Sequence, residues 1–217
     1  MADEYKLYSY FRSSCSARLR LVLNYKSIPY TTIPVNLLSG EHLSDAHRAL
    51  NPSGTVPLFI TPGGQKIAQS IAALEYLEET HPTQPTLPSD AATRAVVRTL
   101  VNIVNADIQP PTNMKIMKRV KALGGSAEEW NKDLMAEGLR AYEATAKDVA
   151  GKYSVGDTFT QADAAFLPAY WNAERYKVDL SEFPTLKKVV DNLMKEEFVV
   201  KAHPFSQPDC PEDLRFK

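Results

Sequence analysis

Tyr8-Ser9-Tyr10-Phe11-Arg12-Ser13-Ser14-Cys15-Ser16-Ala17-Arg18-Leu19-Arg20-Leu21-Val22-Leu23 passes from an alternating aromatic segment, through hydroxyls and one thiol, into a cationic, leucine-rich helical pattern. The alternation begins at Tyr5 and suits a half-buried strand, while Leu19, Val22 and Leu23 recur at helical spacing. A strand therefore runs straight into a helix, with Ser13, Ser14, Cys15 and Ser16 at the junction. A seryl hydroxyl at a helix mouth accepts from backbone N–H groups that lack intrahelical partners, and the positive end of the helix dipole favours a nearby anion. Three hydroxyls and a thiol exceed what a cap requires. Two readings stand on this run alone: an ordinary capped helix with one half-buried cysteine, or a place where something negative, such as a thiolate, is held.

Working outward, Tyr30-Thr31-Thr32-Ile33 is β-branched and aromatic and predicts a second strand, so the chain opens as a βαβ unit with a parallel pair. A short helix is expected around Leu43 to Leu50. Asn51-Pro52-Ser53-Gly54-Thr55-Val56-Pro57 then makes a turn ahead of Leu58-Phe59-Ile60. Pro57 has no ladder donor and should open that strand, its peptide bond being either cis or an ordinary trans bond. Pro62-Gly63-Gly64 signals a tight hairpin and Gln65-Lys66-Ile67 a returning strand, so the third and fourth strands are antiparallel. Gln69-Ser70 precedes the periodic run Ile71, Leu74, Leu77, which ends at Thr80-His81-Pro82, and Ser70 is placed to cap that helix. Residues 1–82 thus predict a small α/β module of βαβ followed by ββα.

Three prolines within residues 82–88 can continue neither a helix nor a central strand, which places a linker at 83–90. From 91 to 217 no strand is expected, and the fold class is α/β followed by all-α. Ala91 to Leu123 reads as helix bent or divided at Pro110-Pro111, and Ala127 to Lys152 as another. Thr160 and Asp163 stand at capping-box spacing, a structural role, ahead of an aromatic helix to Tyr176. Phe183-Pro184 starts a last helix expected to reach Val200, and the tail from His203 should lie over the surface.

The 217 residues carry 25 basic and 26 acidic side chains, a net charge of −1, which does not suggest nucleic-acid or membrane-surface partners. No apolar run approaches the ~20 residues of a membrane span, and Met1-Ala2-Asp3-Glu4-Tyr5 lacks the basic and apolar regions of a signal peptide. A soluble, cytoplasmic protein is the expectation. Cys15 and Cys210 form no CxxC pair and are expected to be reduced thiols. Of the four histidines only His42 and His47 are close, at a spacing that does not match the i, i+4 pattern, so no metal is expected.

An α/β module of this kind, thioredoxin-like in pattern, a proline-rich linker and an all-α second half together resemble the cytosolic glutathione S-transferases. Four stretches are similar to the zeta class in particular: Ser13-Ser14-Cys15 with Arg18-Leu19-Arg20; Asn51-Pro52 with Val56-Pro57; Gln69-Ser70 with Glu75-Tyr76-Leu77-Glu78-Glu79; and Asn172-Ala173-Glu174-Arg175-Tyr176-Lys177-Val178-Asp179-Leu180. The likeness runs from about Leu7 to Leu214, and Ser-Ser-Cys is its specific motif, since Val-Pro and Gln-Ser are shared by many transferase classes.

The resemblance implies glutathione as cofactor and a homodimer. It implies that Ser70, with Gln69, holds the γ-glutamyl end, and that the Val56 backbone, before a cis Pro57, pairs with the cysteinyl backbone of the ligand. His42 falls where the family usually has a glutamine contacting glutathione, and Gln109 and Asn113 match positions lining the cleft from the helical half; a solvated role stays open for each. Ser13 is implied as the principal donor to the thiolate, Ser14 as its support and Cys15 as a modulating wall. The implied reaction is isomerisation of maleylacetoacetate, a dianionic diketo acid, to fumarylacetoacetate by reversible thiolate addition, in phenylalanine and tyrosine catabolism. Arg175, with Arg12 and Arg18 behind it, is the implied carboxylate binder, the alternative for Arg175 being a surface ion pair with Glu174 or Asp179. Ala17 departs from the class, which usually carries Trp or His there. The rival readings are a glutathione transferase conjugating α-halo acids or reducing peroxides, and a non-enzymatic interaction module, which typically loses the thiolate-stabilising residue.

Overall fold

A computed structural model describes residues 4–216 and divides the chain into two units, one made of residues up to Pro85 together with those from Lys195 onward, the other of Thr86–Met194. In the first unit β1 (Tyr5–Ser9), α1 (Ser14–Tyr25) and β2 (Tyr30–Pro34) form the expected βαβ, with β1 and β2 parallel and Tyr8 opposite Ile33. The helix α2 (Asp45–Leu50) follows, with Ser44 Oγ accepting from His47 N at 3.2 Å. β3 (Leu58–Ile60) runs antiparallel to β1, and β4 (Lys66–Ile67) antiparallel to β3, in the sheet order β2-β1-β3-β4. The helix α3 (Ser70–Thr80) completes ββα. Pro34 is tolerated because β2 is an edge strand.

That topology fixes what meets at one end of the sheet. Tyr8 of β1 lies opposite Leu58, and Phe59 opposite Ile67, so the carboxyl end of β1, the amino end of β3 and the carboxyl end of β4 coincide. The α1 mouth, the Val56-Pro57 segment and the α3 mouth all follow from those three strand ends.

α1 is buried nearly all round. Leu19, Leu21, Val22 and Leu23 are inaccessible, and so are Arg18 and Arg20, each 0% exposed. Enclosing a guanidinium is costly unless its donors are used, and Arg20 donates to Ser9 Oγ, the Phe11 carbonyl and the Ala202 carbonyl at 3.0, 3.1 and 3.0 Å. Lys26 at the α1 C-cap reaches Glu78 and the carbonyls of His81 and Gln84, tying α1 to the end of α3.

The second unit is helical: α4 (Ala91–Asn102), α5 (Met114–Ala122), α6 (Ala127–Ala146), α7 (Gln161–Arg175) and α8 (Pro184–Leu193). The stretch before Pro110-Pro111 does not stay α-helical but widens to a π-helix over Ile103–Ile108. Gly138 on α6 makes room for it, since a Cβ there would come within 2.2 Å of Ile108 Cγ1. The Thr160–Asp163 capping box forms at the start of α7, and Asp163 Oδ1 also accepts from Ser154 N at 2.7 Å.

Three expectations are corrected. The residue at the α3 N-cap is Gln69, and Ser70 is the first helical residue, its hydroxyl committed elsewhere. The last helix does not run on to Val200: α8 stops at Leu193 and a separate α9 (Glu197–Ala202) begins after Glu196, packing against α1 in the first unit. The tail is not merely draped. Cys210 is 3% exposed, in a cluster with Tyr10 and Phe11 flanked by Leu37, Val56, Phe205 and Leu214. The sequence-based limits 1–82 and 91–217 extend at both termini into residues outside those described, and Lys195 onward groups with the first unit.

Candidate active site

Ser13 is the N-cap of α1. Its backbone N–H donates to the Tyr10 carbonyl at 2.9 Å, which turns the chain out of β1, and its Oγ accepts from Ser16 N at 3.1 Å. A hydroxyl accepting through a lone pair keeps its proton for another acceptor, so Ser13 presents a hydroxyl donor at the positive end of a twelve-residue helix. Arg12, Ser13, Ser14 and Cys15 are half-buried, whereas Ser16 is fully enclosed. The tyrosines upstream are placed otherwise: the Tyr10 ring is buried edge-on to Phe11, and Tyr8 lies edge-on to His47. The Arg12 guanidinium stands 5.1 Å from the Phe11 ring centre.

The Val56-Pro57 peptide is cis. Two side chains fasten the residue before it, Asn51 Nδ2 donating to the Thr55 carbonyl at 2.8 Å and His47 Nε2 lying 2.9 Å from the same oxygen. A carbonyl only accepts, so Nε2 of His47 carries a proton. The sequence offered His47 only as half of a histidine pair; its role in holding this loop depends on a carbonyl eight residues away. Gly54 adopts φ +59° and a Cβ there would approach the His42 carbonyl to 3.2 Å, which brings the loop against His42.

Ser70, 4% exposed at the α3 mouth, accepts from Arg18 Nη1 at 3.1 Å. As at Ser13, the hydroxyl proton is left for an acceptor, here beside a buried guanidinium. Arg18, named from sequence among the carboxylate binders, is therefore enclosed and directed to Ser70. Gln69 is exposed and makes no capping bond. Ser13, Ser14, Cys15, Val56, Pro57, Gln69 and Ser70 thus come from the strand ends that the topology gathers, and His42 borders them through Gly54.

In the helical unit Gln109 is half-buried at the end of the π-helix. Asn113 is the N-cap of α5, its Oδ1 accepting from Ile116 N at 3.1 Å and its Nδ2 donating to the Pro110 carbonyl at 2.7 Å, so both ends of its side chain serve the loop. Arg175, the last residue of α7, is exposed with its guanidinium 5.4 Å from the Tyr176 ring centre. Among the described residues it pairs with neither Glu174 nor Asp179, and the Asp179 carboxylate instead accepts from Ser181. Tyr176 Oη donates to Met117 Sδ at 3.2 Å, joining this end of α7 to α5. An open groove of about 610 Å³ along α4, lined by Ala91, Ala95, Arg98 and Asp107 among others, includes none of the residues singled out from sequence. Among the described residues no group of three His, Cys, Asp or Glu side chains is arranged to hold a metal ion.

Comparison with known proteins places these features in a family. Residues 12–80 match the glutathione S-transferase N-terminal domain and residues 124–197 the glutathione S-transferase C-terminal domain. A maleylacetoacetate isomerase of Aspergillus fumigatus is 54% identical over 96% of this chain and 94% of its own. Among solved structures, the holo form of a maleylpyruvate isomerase, described as a bacterial zeta-class glutathione S-transferase, superposes with a TM-score of 0.92 at 39% identity over 95% of this chain and 100% of that one. A maleylacetoacetate isomerase from Anaeromyxobacter dehalogenans with glutathione in its active site gives 0.89 at 38% identity over 96% and 98%.

Proposed function

The chain belongs to the glutathione S-transferase family, and on that premise we propose that it is a zeta-class maleylacetoacetate isomerase, converting maleylacetoacetate to fumarylacetoacetate with glutathione as cofactor. The observation that carries this is the likeness to maleylacetoacetate isomerases over nearly the full length of the chain.

The donor set fits glutathione. Ser70 and Ser13 each accept one hydrogen bond from the protein and keep a proton to give, at the mouths of two helices whose dipoles favour anions. Glutathione held by these residues would supply a thiolate for reversible conjugate addition to the cis double bond, the substrate carbonyl taking up the displaced electron pair and returning it when the thiolate is expelled. Ser13 donates a hydrogen bond from its hydroxyl to that sulfur and, with the α1 dipole, favours the charged form of the thiol, with Ser14 in support and Cys15 as a wall. Ser70 and Gln69 hold the γ-glutamyl end, the Val56 backbone ahead of Pro57 pairs with the cysteinyl backbone, and His42 replaces the glutamine through which the family usually contacts glutathione. Gln109 and Asn113 stay candidate ligand contacts of the helical unit, Asn113 chiefly by shaping its own loop. Arg175, exposed and without an ion-pair partner among the described residues, supports a role in binding a substrate carboxylate, and Arg12 is its second. Arg18 acts through Ser70 rather than on substrate.

A homodimer in the cytoplasm belongs to the same proposal. Among the described residues no helix is long and apolar enough to cross a membrane, and a native mass measurement tests the dimer. The decisive assay is maleylacetoacetate turnover with and without glutathione: glutathione-dependent isomerisation is expected, and conjugation of α-halo acids or reduction of peroxides without isomerisation would replace the proposal. Ala17, where the class usually has Trp or His, is the position that favours testing those other electrophiles in parallel.

A further inference from the structure

Phe11 lies between β1 and the Ser13 cap, and both its backbone groups are held by charged side chains from elsewhere in the chain. Its N–H donates to Asp209 Oδ2 at 2.8 Å, across 198 residues, and its carbonyl accepts from Arg20 Nη2 at 3.1 Å. Arg20 is itself anchored on Ser9 Oγ and the Ala202 carbonyl, so one guanidinium joins β1, the site turn and the end of α9. Burial lowers the Arg20 pKa to about 10, and the charge of Asp209 works against that fall, which puts the two groups in electrostatic reach of each other.

The segment that carries Asp209 is built to stay. Arg215 closes it with bonds from Nε to the Cys210 carbonyl and from Nη2 to the Pro208 carbonyl, at 3.0 and 2.8 Å. Cys210 fills the apolar cluster with Tyr10 and Phe11, which Val56 also joins, so the same tail borders both the Ser13 turn and the cis-proline segment. Asp209 Oδ1 is buried without a hydrogen-bond partner. Asp209 is half-buried, and leaving its enclosed Oδ1 unbonded has a cost, while its Oδ2 is bonded to the site turn.

We propose that the C-terminal segment is a working part of the thiolate site and that Asp209 is a positioning residue, which with Arg20 fixes the Phe11 backbone and so holds the Ser13 hydroxyl at the mouth of α1. This rests on the assignment of Ser13 as the thiolate donor. An asparagine at 209 keeps an oxygen that can accept from Phe11 N–H, an alanine does not, and a glutamate keeps charge and enclosure but displaces the acceptor by one methylene.

The test uses the full chain and glutathione itself, with the pKa of the bound thiol read from thiolate absorbance across pH and glutathione affinity measured separately. Asp209→Ala is expected to raise the bound-thiol pKa by about one unit and to lower turnover about tenfold, with affinity nearly unchanged. Asp209→Asn should restore both, and Asp209→Glu should give an intermediate rise. Partial unfolding lowers the amplitude of the titration without moving its midpoint, so the midpoint decides even if Asp209→Ala is poorly folded. A midpoint at the wild-type position in both Asp209→Ala and Asp209→Glu overturns the proposal. Ser13→Ala, run in parallel, separates the two levels: a raised midpoint there with unmoved Asp209 variants sinks only the role of Asp209, whereas an unmoved midpoint in Ser13→Ala removes the assignment of Ser13 as well.

Discussion

Arg18 Nη1 donates to Ser70 Oγ at 3.1 Å, so a fully buried cation on α1 sets the orientation of a hydroxyl at the mouth of α3. A hydrogen bond to a charged group is worth about 1.5–3 kcal/mol, and part of that is passed to any anion Ser70 binds. Arg18→Met, which keeps most of the buried volume, is expected to raise the glutathione KM about tenfold, equivalent to about 1.4 kcal/mol, with kcat changed much less. The double variant with Ser70→Ala should bind little worse than Ser70→Ala alone. Strictly additive losses would mean that Arg18 does not act through Ser70.

Ser13 combines a structural and a chemical role, and the two are separable by substitution. Its Oγ accepts from Ser16 N, so Ser13→Ala removes an N-cap and is expected to cost about 1 kcal/mol of stability. The same change removes the donor assigned to the thiolate, and turnover should fall about a hundredfold, as when one preorganised donor is deleted elsewhere. Ser13→Asp retains a capping acceptor but offers no proton, so stability should recover and turnover should not. Urea unfolding and single-turnover isomerisation measure the two effects independently.

The βαβ-ββα order could be read from the alternation at Tyr5–Tyr10, the β-branched Tyr30–Ile33 and the Pro62-Gly63-Gly64 hairpin, because each of these signals is local. So could the Thr160–Asp163 box, which needs only a spacing of three. What could not be read depends on partners far along the chain. Ser70 looked like a cap because nothing within a few residues reveals that Arg18, 52 positions earlier, bonds its hydroxyl. Arg18 and Arg20 gave the run a cationic cast, yet Arg20 uses its donors inside the fold and Arg18 gives one to Ser70, on groups that no periodicity marks. The break between α8 and α9 has no glycine or proline to announce it and occurs where the chain leaves the helical unit to pack against α1. The prolines at 204, 208 and 211 hid a tail that buries Cys210.

Asp163 tests the other unit by itself. It is fully buried and accepts from Ser154 N, Thr160 N and Thr160 Oγ1 at 2.7, 2.9 and 3.2 Å. Asp163→Ala leaves those enclosed donors without an acceptor and should destabilise the protein by about 3 kcal/mol or more. Asp163→Asn keeps one acceptor oxygen and should fall between. The order wild type, Asn, Ala in urea midpoint is the expected result, and equal midpoints for the two variants would show that the donors find other partners. Glutathione affinity of the folded fraction should not follow that order, since no contact with glutathione is assigned to Asp163.

His203 gives the fold a pH dependence of predictable sign. Burial, reinforced by the Arg20 charge, lowers its pKa from 6.5 to about 4, and its Nδ1 accepts from Phe205 N at 3.1 Å, a bond that protonation of Nδ1 abolishes. The unfolded chain therefore takes up a proton near pH 6.5 while the native one does not until about pH 4. Between those values the unfolded state binds more protons, so stability rises with pH: the contribution is complete above about 6.5 and is lost progressively as pH falls toward 4. The measurement is the urea midpoint at pH 7 and at pH 5 for the wild type and for His203→Gln, whose side chain cannot titrate. The wild-type midpoint should drop more than that of the variant, and the difference isolates His203 from the carboxylates, which both proteins share. Parallel falls in the two proteins would mean that the acid sensitivity lies in those carboxylates and that the His203 imidazole takes up its proton alike in the native and unfolded states.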